Sequence, residues 1–254
     1  RWILNTFLRR AAFWFLLIVI WEAIFRFNVF PARNFPSLCM VLGKFAEGFI
    51  SGEYLLSLKT SLLRIGIGYS LAILLGIFLG VAMGLVKFID EGVSGILLGL
   101  QSMGHAAWVP FAVLFFGENE LAVIFIVQIS AMIVITLNTE SGIKFVSPQL
   151  INQARISGIK GVSLFREVVL PAAVPSIITG MRLGWAFSWR GLVTAEILVS
   201  GLGIGHILMR AKEQKDMAYV MATMLLIASI SIIVDNLIFK NLENSVRRRW
   251  GIAK

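Results

Sequence analysis

The sequence predicts an all-α polytopic membrane protein, and three observations carry that prediction. Apolar residues make up 58% of the 254-residue chain and charged ones 15%, where a soluble domain carries about 25% charged residues. The apolar residues arrive in runs of about 20, the length a helix needs to cross a hydrocarbon core. Lysines and arginines gather near the ends of those runs, as membrane-spanning chains place them. Mean hydropathy is accordingly high, at +0.86.

Six spans follow in order, near 11–30, 57–86, 93–116, 120–140, 172–199 and 217–240. The first begins after Arg9-Arg10 and is interrupted by Glu22 and Arg26; with no small-residue cleavage pattern behind it, it reads as a retained span rather than a signal peptide. A proline-punctuated turn from Phe30 to Pro36 comes next. Then Leu38, Val41, Leu42, Phe45 and Phe49 recur at helical spacing, with Ser37, Lys44 and Glu47 off that face. Such a helix belongs at the membrane interface. The second span carries Gly68, Ala72, Gly76, Gly80 and Gly84, a small residue at every fourth position. That makes a smooth face against which another helix can pack closely, or slide. The expected organisation is an N-terminal span and interfacial helix over 1–56, a core over 57–242 and a basic tail over 243–254.

Charge distribution gives an orientation. An N-terminus placed inside puts 13 of the 23 lysines and arginines inside and eight outside, counting Lys59 and Arg64 as outside and leaving Arg182 and Arg190 within a span. The positive-inside rule then puts both termini, and the 141–171 connection, on the cytoplasmic side of a multi-pass protein. The net charge of +9 comes without a basic binding stripe, so the expected partner is the lipid bilayer and no nucleic acid; Arg247-Arg248-Arg249 suits anionic lipid. The single cysteine, Cys39, excludes an internal disulfide and a cysteine-built zinc site.

Chemistry of its own is not expected of this chain. It lacks a G-x4-G-K-[ST] phosphate loop, an H-E-x-x-H helix and a G-x-S-x-G elbow. Gly201-Leu202-Gly203-Ile204-Gly205 follows a span, not a strand, and reads as a turn. Ser102 and His105 would share a helix face and could make a hydrolase dyad, a spacing that arises often by chance. No catalytic residue, metal site or cofactor is assigned.

Three charges fall within the fifth span. Arg182, Trp189 and Glu196 lie seven residues apart and so share one face, with Arg182 and Glu196 about 21 Å apart along the axis, too far to pair. An ionised side chain at mid-membrane costs about 2.5–3.5 kcal/mol, so each is expected to meet protein or water. For Glu196 the expectation is an interhelical hydrogen bond holding the outer end together. Arg190, beside Trp185 and Trp189, is either structurally paired or attracts an anion in a pathway.

The connection after the fourth span holds Asn152-Gln153-Ala154-Arg155-Ile156-Ser157-Gly158, a spacer, and Val168-Val169-Leu170-Pro171. A short helix over 149–158, closed by glycine, is expected there, with Pro171 and Pro175 opening the next span. In this spacing the segment resembles the E-A-A-x3-G-x9-I-x-L-P loop of ATP-binding-cassette importer permeases. Ala154, Gly158, Val168, Leu170 and Pro171 match in register, while Asn152 and Gln153 depart from it. Ala107-Trp108-Val109-Pro110 through Phe116-Gly117 resembles a stretch of the permeases for nitrate, taurine, aliphatic sulfonates and bicarbonate. Leu137-Asn138-Thr139, Gly180-Met181-Arg182-Leu183 and Ala195-Glu196 are similar to that branch as well, so the resemblance runs over about 36–245. Where members carry R-P-I-P-P, this chain has Gln101-Ser102-Met103-Gly104-His105.

The resemblance implies a type I importer permease fold with a cytoplasmic coupling helix. It implies a bacterial inner-membrane transport subunit, not an enzyme, for a small solute, with a sulfonate, nitrate, bicarbonate or aromatic acid type of anion expected; an amino-acid or osmolyte permease of the same architecture is the runner-up, ahead of a membrane hydrolase. Its implied partners are ABC ATPase subunits that bind ATP and Mg, a second permease copy of the same or a different chain, and an extracytoplasmic substrate-binding protein. Asn152, Gln153, Ala154, Arg155 and Gly158 become the ATPase-coupling candidates. Gln101, His105, Trp108, Trp189, Arg190 and Glu196 are candidates for the translocation pathway.

Overall fold

The computed structural model describes residues 2–31, 33–199 and 201–249, without the side chains of 2–8, 10, 11, 244 and 246–249. The side chains of the basic tail at Arg247-Arg248-Arg249 lie outside the described set. Every regular element among the described residues is helical: α1 (Trp2–Arg26), α2 (Leu38–Ile50), α3 (Glu53–Leu85), α4 (Lys87–Ser102), α5 (His105–Phe116), α6 (Glu120–Lys144), α7 (Pro148–Ile156), α8 (Gly161–Leu164), α9 (Leu170–Leu198), α10 (Ile204–Glu213), α11 (Met217–Val234) and α12 (Lys240–Arg249). Five-residue π turns join α8 to α9 and α11 to α12.

The centre is a sandwich of three long helices, with α6 between α3 and α9. Small residues set how closely they approach. A Cβ at Gly80 of α3 would lie 2.6 Å from Thr139 Cβ and 2.7 Å from Thr136 O of α6. On the opposite face of α6, a Cβ at Gly191 of α9 would lie 2.6 Å from Ser130 Oγ. The glycine stripe of α3 is therefore a packing face, and Ile65, Ala72, Ile126, Ile135 and Leu192 fill the core beside it. The other face of α3 shows Leu63, Leu74 and Phe78 outward, as a surface for lipid or another subunit does.

The two ends of this bundle differ. One carries α7, and there Lys144 pairs with Asp90 of α4 at 2.6 Å and Glu140 at 2.5 Å. The other carries the 201–205 turn, α10 and the start of α11. At that end Tyr54 stacks on Tyr219 with ring centroids 5.6 Å apart, and Glu53 pairs with Arg210. The amphipathic α2 starts on Ser37, whose Oγ accepts from Met40 N. It lays Val41, Phe45 and Phe49 against Tyr54 and α11 while Leu42 stays exposed. Helix α1 stands apart with Phe13 to Ile20 exposed; it touches the body at Trp21, whose Nε1 donates to Pro36 O at 3.1 Å.

The spans depart from the sequence expectation in one place. Among the described residues four helical stretches are long and apolar enough to cross a membrane: 53–85, 120–144, 161–198 and 217–243. The expected straight span over 93–116 is instead α4 and α5, bent by 103° at Met103-Gly104, and counting the pair as one crossing gives five. The expected first span is helical over Trp2–Arg26; much of its first half lies among the side chains outside the described set, and it is not counted among these four. Helix α10, which follows the glycine turn, has no counterpart in the sequence reading; its Ile204, Ile207 and Ala211 supply a buried stripe too short to stand out from α11.

Candidate functional site

The α7 segment folds locally for reasons visible in its residues. Pro148 opens it at the first helical position, where a missing N–H costs nothing. Gly158 closes it with φ +86°, in the left-handed region that disfavours a side chain. Ile159 N donates to Ala154 O at 3.0 Å and Gly158 N to Arg155 O at 3.1 Å, the paired bonds of a Schellman cap. Ala154 is buried, while Asn152, Gln153, Arg155 and Gly158 are exposed. Ile151 anchors the helix to Val146, Val169 and Ala173. Around the exposed side stand Ile156, Phe145 and Val162, exposed to 87%, 84% and 82%. The helix thus leaves a polar face and several bare apolar side chains uncovered by the bundle.

At the opposite end Glu196 is 2% exposed and Arg64, from α3, 6%. Arg64 Nη1 donates to Glu196 Oε1 at 2.8 Å and to Leu202 O at 2.5 Å. Its Nε and Nη2 form a two-pronged bond to Glu120 at 2.5 and 2.6 Å. Ser61 Oγ donates to Glu196 Oε1 at 2.7 Å and accepts from Ile204 N at 3.0 Å, and Gly205 N donates to Glu196 Oε2 at 2.9 Å. Helices α3, α9 and α10 meet at this one carboxylate, and Arg64 ties α6 to them through Glu120. A side chain at Gly203 would strike that carboxylate, which accounts for the glycine. Arg64 is the residue the sequence reading missed, having counted it with the loop cations. The available signal was a charge one helical turn after Ser61, inside an apolar run with an unpaired Glu196 elsewhere.

The remaining candidates divide. Arg182 sits nearer the α7 end and holds Asp235 at 2.6 and 2.7 Å and Glu243 at 3.0 Å. Arg190 has no ion pair among the described residues; its guanidinium lies 5.2 Å over the Phe187 ring, and Phe187 meets the His105 ring edge-on at 5.7 Å. His105 opens α5 at the break. Its Nδ1 lies 3.0 Å from Ser130 Oγ, which donates its one proton to Ile126 O at 2.6 Å. Nδ1 therefore carries the proton and donates, leaving Nε2 as an acceptor. Ser102 bonds instead to Gly99 O, so the serine–histidine dyad is not formed. Gln101 is exposed, and Trp108 is half-buried against Phe111 and Phe125. Trp189 is 4% exposed and its Nε1 lacks an acceptor.

Trp189 and Arg190 line a groove of about 1160 Å³ between α9, α10 and α11. Arg33, Lys212, Lys215 and Asp216 also line it. Asp216 is engaged elsewhere: it accepts from Tyr219 N at 3.0 Å and lies 3.5 Å from Lys44. Glu47 beside it, and then Asp216, hold the Lys44 ammonium above the usual lysine value against the opposing effect of burial.

Comparison with known proteins accords with this arrangement. Residues 72–250 match the family model described as binding-protein-dependent transport system inner membrane component. The chain is 30% identical over 223 residues to the aliphatic sulfonates transport permease protein SsuC of Bacillus subtilis (strain 168), covering 88% of this chain and 81% of SsuC. It is 28% identical over 232 residues to the nitrate import permease protein NrtB of Synechocystis sp., covering 88% and 83%. Among solved structures, a chain of the inward-facing MetNI methionine ABC transporter superposes with a TM-score of 0.65 at 16% identity, covering 75% of this chain and 94% of that one. The chain therefore belongs to the binding-protein-dependent inner-membrane components, and is a membrane-embedded permease subunit of an ABC importer.

Proposed function

We propose that this permease carries a small anion and that α7 is the lever through which a separate ATPase drives it. The observation that carries the coupling assignment is the exposed face of α7: Asn152, Gln153 and Arg155 stand beside bare Ile156 on a helix locked at both ends. The anion assignment rests on relatives named for sulfonate and nitrate transport and on Arg190, a cation within α9 that no carboxylate among the described residues neutralises. ATP and Mg bind the ATPase subunits, a second permease copy completes the pathway, and an extracytoplasmic binding protein delivers cargo to the end carrying the 201–205 turn. Both termini and α7 face the cytoplasm of a bacterial inner membrane, the side favoured by Lys87, Lys144, Arg155, Lys160 and Arg166. The 57–242 core then alternates between openings while α3, α6 and α9 move as packed bodies.

Two variants test the lever. Proline at Ala154 disrupts a helix interior at about 3 kcal/mol, and Arg155→Glu reverses an exposed charge while leaving the fold untouched. Both are expected to insert normally and to lower uptake in membrane vesicles at least tenfold. Uptake at the parental level in both would remove the coupling assignment.

A further inference from the structure

Helix α4 is held to the bundle more lightly than its neighbours. Leu97 is its one buried residue, packed with Met83 of α3 and Ile133 of α6. A Cβ at Gly92, Gly95 or Gly99 would meet nothing within 4 Å. Helix α5 is fixed by contrast: Val109 and Ala112 enter the central core, Trp108 and Phe116 pack on Phe125 of α6, and His105 is tied to Ser130 at 3.0 Å. Between the two, Met103 and Gly104 are extended, with φ/ψ of −73°/129° and −64°/152°. Element-terminal residues of this kind, between a loose helix and a fixed one, are where a hinge forms. At the start of α4, Asp90 makes the one ion pair between α4 and the three-helix core among the described residues, to Lys144 at 2.6 Å. Lys144 also holds Glu140 of its own helix at 2.5 Å, and only Phe145, Val146 and Ser147 separate it from α7. The Asp90 and Glu140 side chains are 16% and 13% exposed, so water screens these pairs less than a surface bridge. Asp90 Oδ1 is buried without a partner among the described residues, which leaves Lys144 as the group that compensates the carboxylate.

We propose that Lys144 and Asp90 are positioning residues that pass the movement of α7 to α4 and swing it about Met103-Gly104; the inference rests on the reading of α7 as the ATPase-driven lever. A lysine ammonium is a compact point charge with three rotatable donors. It can therefore keep Glu140, four residues back on its own helix, while releasing Asp90. One ammonium between two carboxylates thus has an engaged and a released arrangement, the two-state element that coupling between distant sites requires. From Asp90 to Met103 the helix rises about 20 Å at 1.5 Å per residue, which puts the hinge inside a hydrocarbon core about 30 Å thick. Gln101 stands on the α4 side of that hinge. His105 stands on the fixed side, edge-on to the Phe187 ring that Arg190 covers. A swing of α4 changes the spacing of these pathway candidates while the glycine-packed core of α3, α6 and α9 stays intact.

The test uses the permease assembled with its ATPase and binding protein in proteoliposomes. Spin labels go on cysteines replacing Gly92 of α4 and Leu114 of α5, both exposed, in a Cys39→Ser background. In the parent the label distance is expected to change on nucleotide binding. Asp90→Asn and Lys144→Gln should each abolish that change and lower uptake about tenfold, within the range by which single residues modulate coupling, at unchanged thermal midpoint and with ATP still hydrolysed by the partner. Exchanging the charges, Asp90→Lys with Lys144→Asp, should restore both the distance change and uptake. Glu140→Gln removes a partner of Lys144 but not the link, and should leave the distance change in place; an ion cluster that only stabilises the fold would respond alike to Asp90→Asn and Glu140→Gln. Parental uptake in Asp90→Asn overturns the proposal, as does a nucleotide-driven distance change that survives in it. So does a charge exchange that recovers neither reading, and if a single variant fails to insert, the charge-exchanged protein decides. Should the link fail while a cysteine at Gln153 still cross-links to the ATPase, the coupling reading stands; absence of that cross-link in the parental background removes the coupling reading itself.

Discussion

Arg64 shows what a charge inside a span requires. Its guanidinium divides between Glu120, Glu196 and Leu202 O, so the cost of holding it among apolar helices is offset by several charge-assisted bonds. Removing one member of a buried pair leaves the other uncompensated, at about 3–5 kcal/mol. Arg64→Met is therefore expected to lower the thermal midpoint of the detergent-solubilised protein sharply. Adding Glu196→Gln should recover part of the loss, because a neutral amide no longer needs a cation. If the double variant proves no more stable than Arg64→Met, the clasp is not an energetic unit. The sequence made Glu196 legible as a group in need of a partner on another helix; the partner was not legible, because Arg64 lies 132 positions away and near enough a span end to pass for an interfacial cation.

The helices themselves were legible where apolar runs are long and uninterrupted, and α3, α6 and α9 fall close to their expected limits. Gly68 to Gly84 announced a packing face, and α6 fills it. What the pattern concealed was the break between α4 and α5. Gly104 has an ordinary extended conformation, with φ −64° and ψ 152°, and the one proline nearby, Pro110, sits inside α5 instead of at the bend. Hydropathy is indifferent to a turn that keeps apolar residues on both sides. Close packing on α3 also predicts a graded response to substitution. Gly80→Ala would drive a methyl into Thr139 and the Thr136 carbonyl, an overpacking expected to cost about 1–3 kcal/mol. Gly92→Ala on α4 meets nothing within 4 Å and should gain up to about 1 kcal/mol from helix propensity. Denaturant titration in mixed micelles would compare them, and equal stability of the two variants would contradict the three-helix core described here.

At the scale of the molecule, the two ends are built for different tasks. The end with the 201–205 turn is tied by Arg64, Glu53 and the Tyr54–Tyr219 stack across elements far apart in sequence. The α7 end has a helix attached through Ile151 and Ala154 alone, with its remaining face open. A locked end and an exposed short helix at the other are what the proposed coupling through α7 requires. The helix α7 was legible because its register depends on local features, Pro148, Gly158 and the distance to Leu170-Pro171. The groove was not, since it forms only when α9, α10 and α11 come together, and Arg190 alone signals no neighbours.

The most direct measurement is site-specific cross-linking in the assembled transporter. With the exposed Cys39 replaced by serine, single cysteines at Gln153 and Ile156 on α7 would be compared with cysteines at Lys59 and Lys215 at the other end. The account predicts cross-links to the ATPase subunit from Gln153 and Ile156, with a yield that changes on nucleotide binding, and none from Lys59 or Lys215. Cross-links to the ATPase from the Lys59 and Lys215 end, or none from α7, would contradict it.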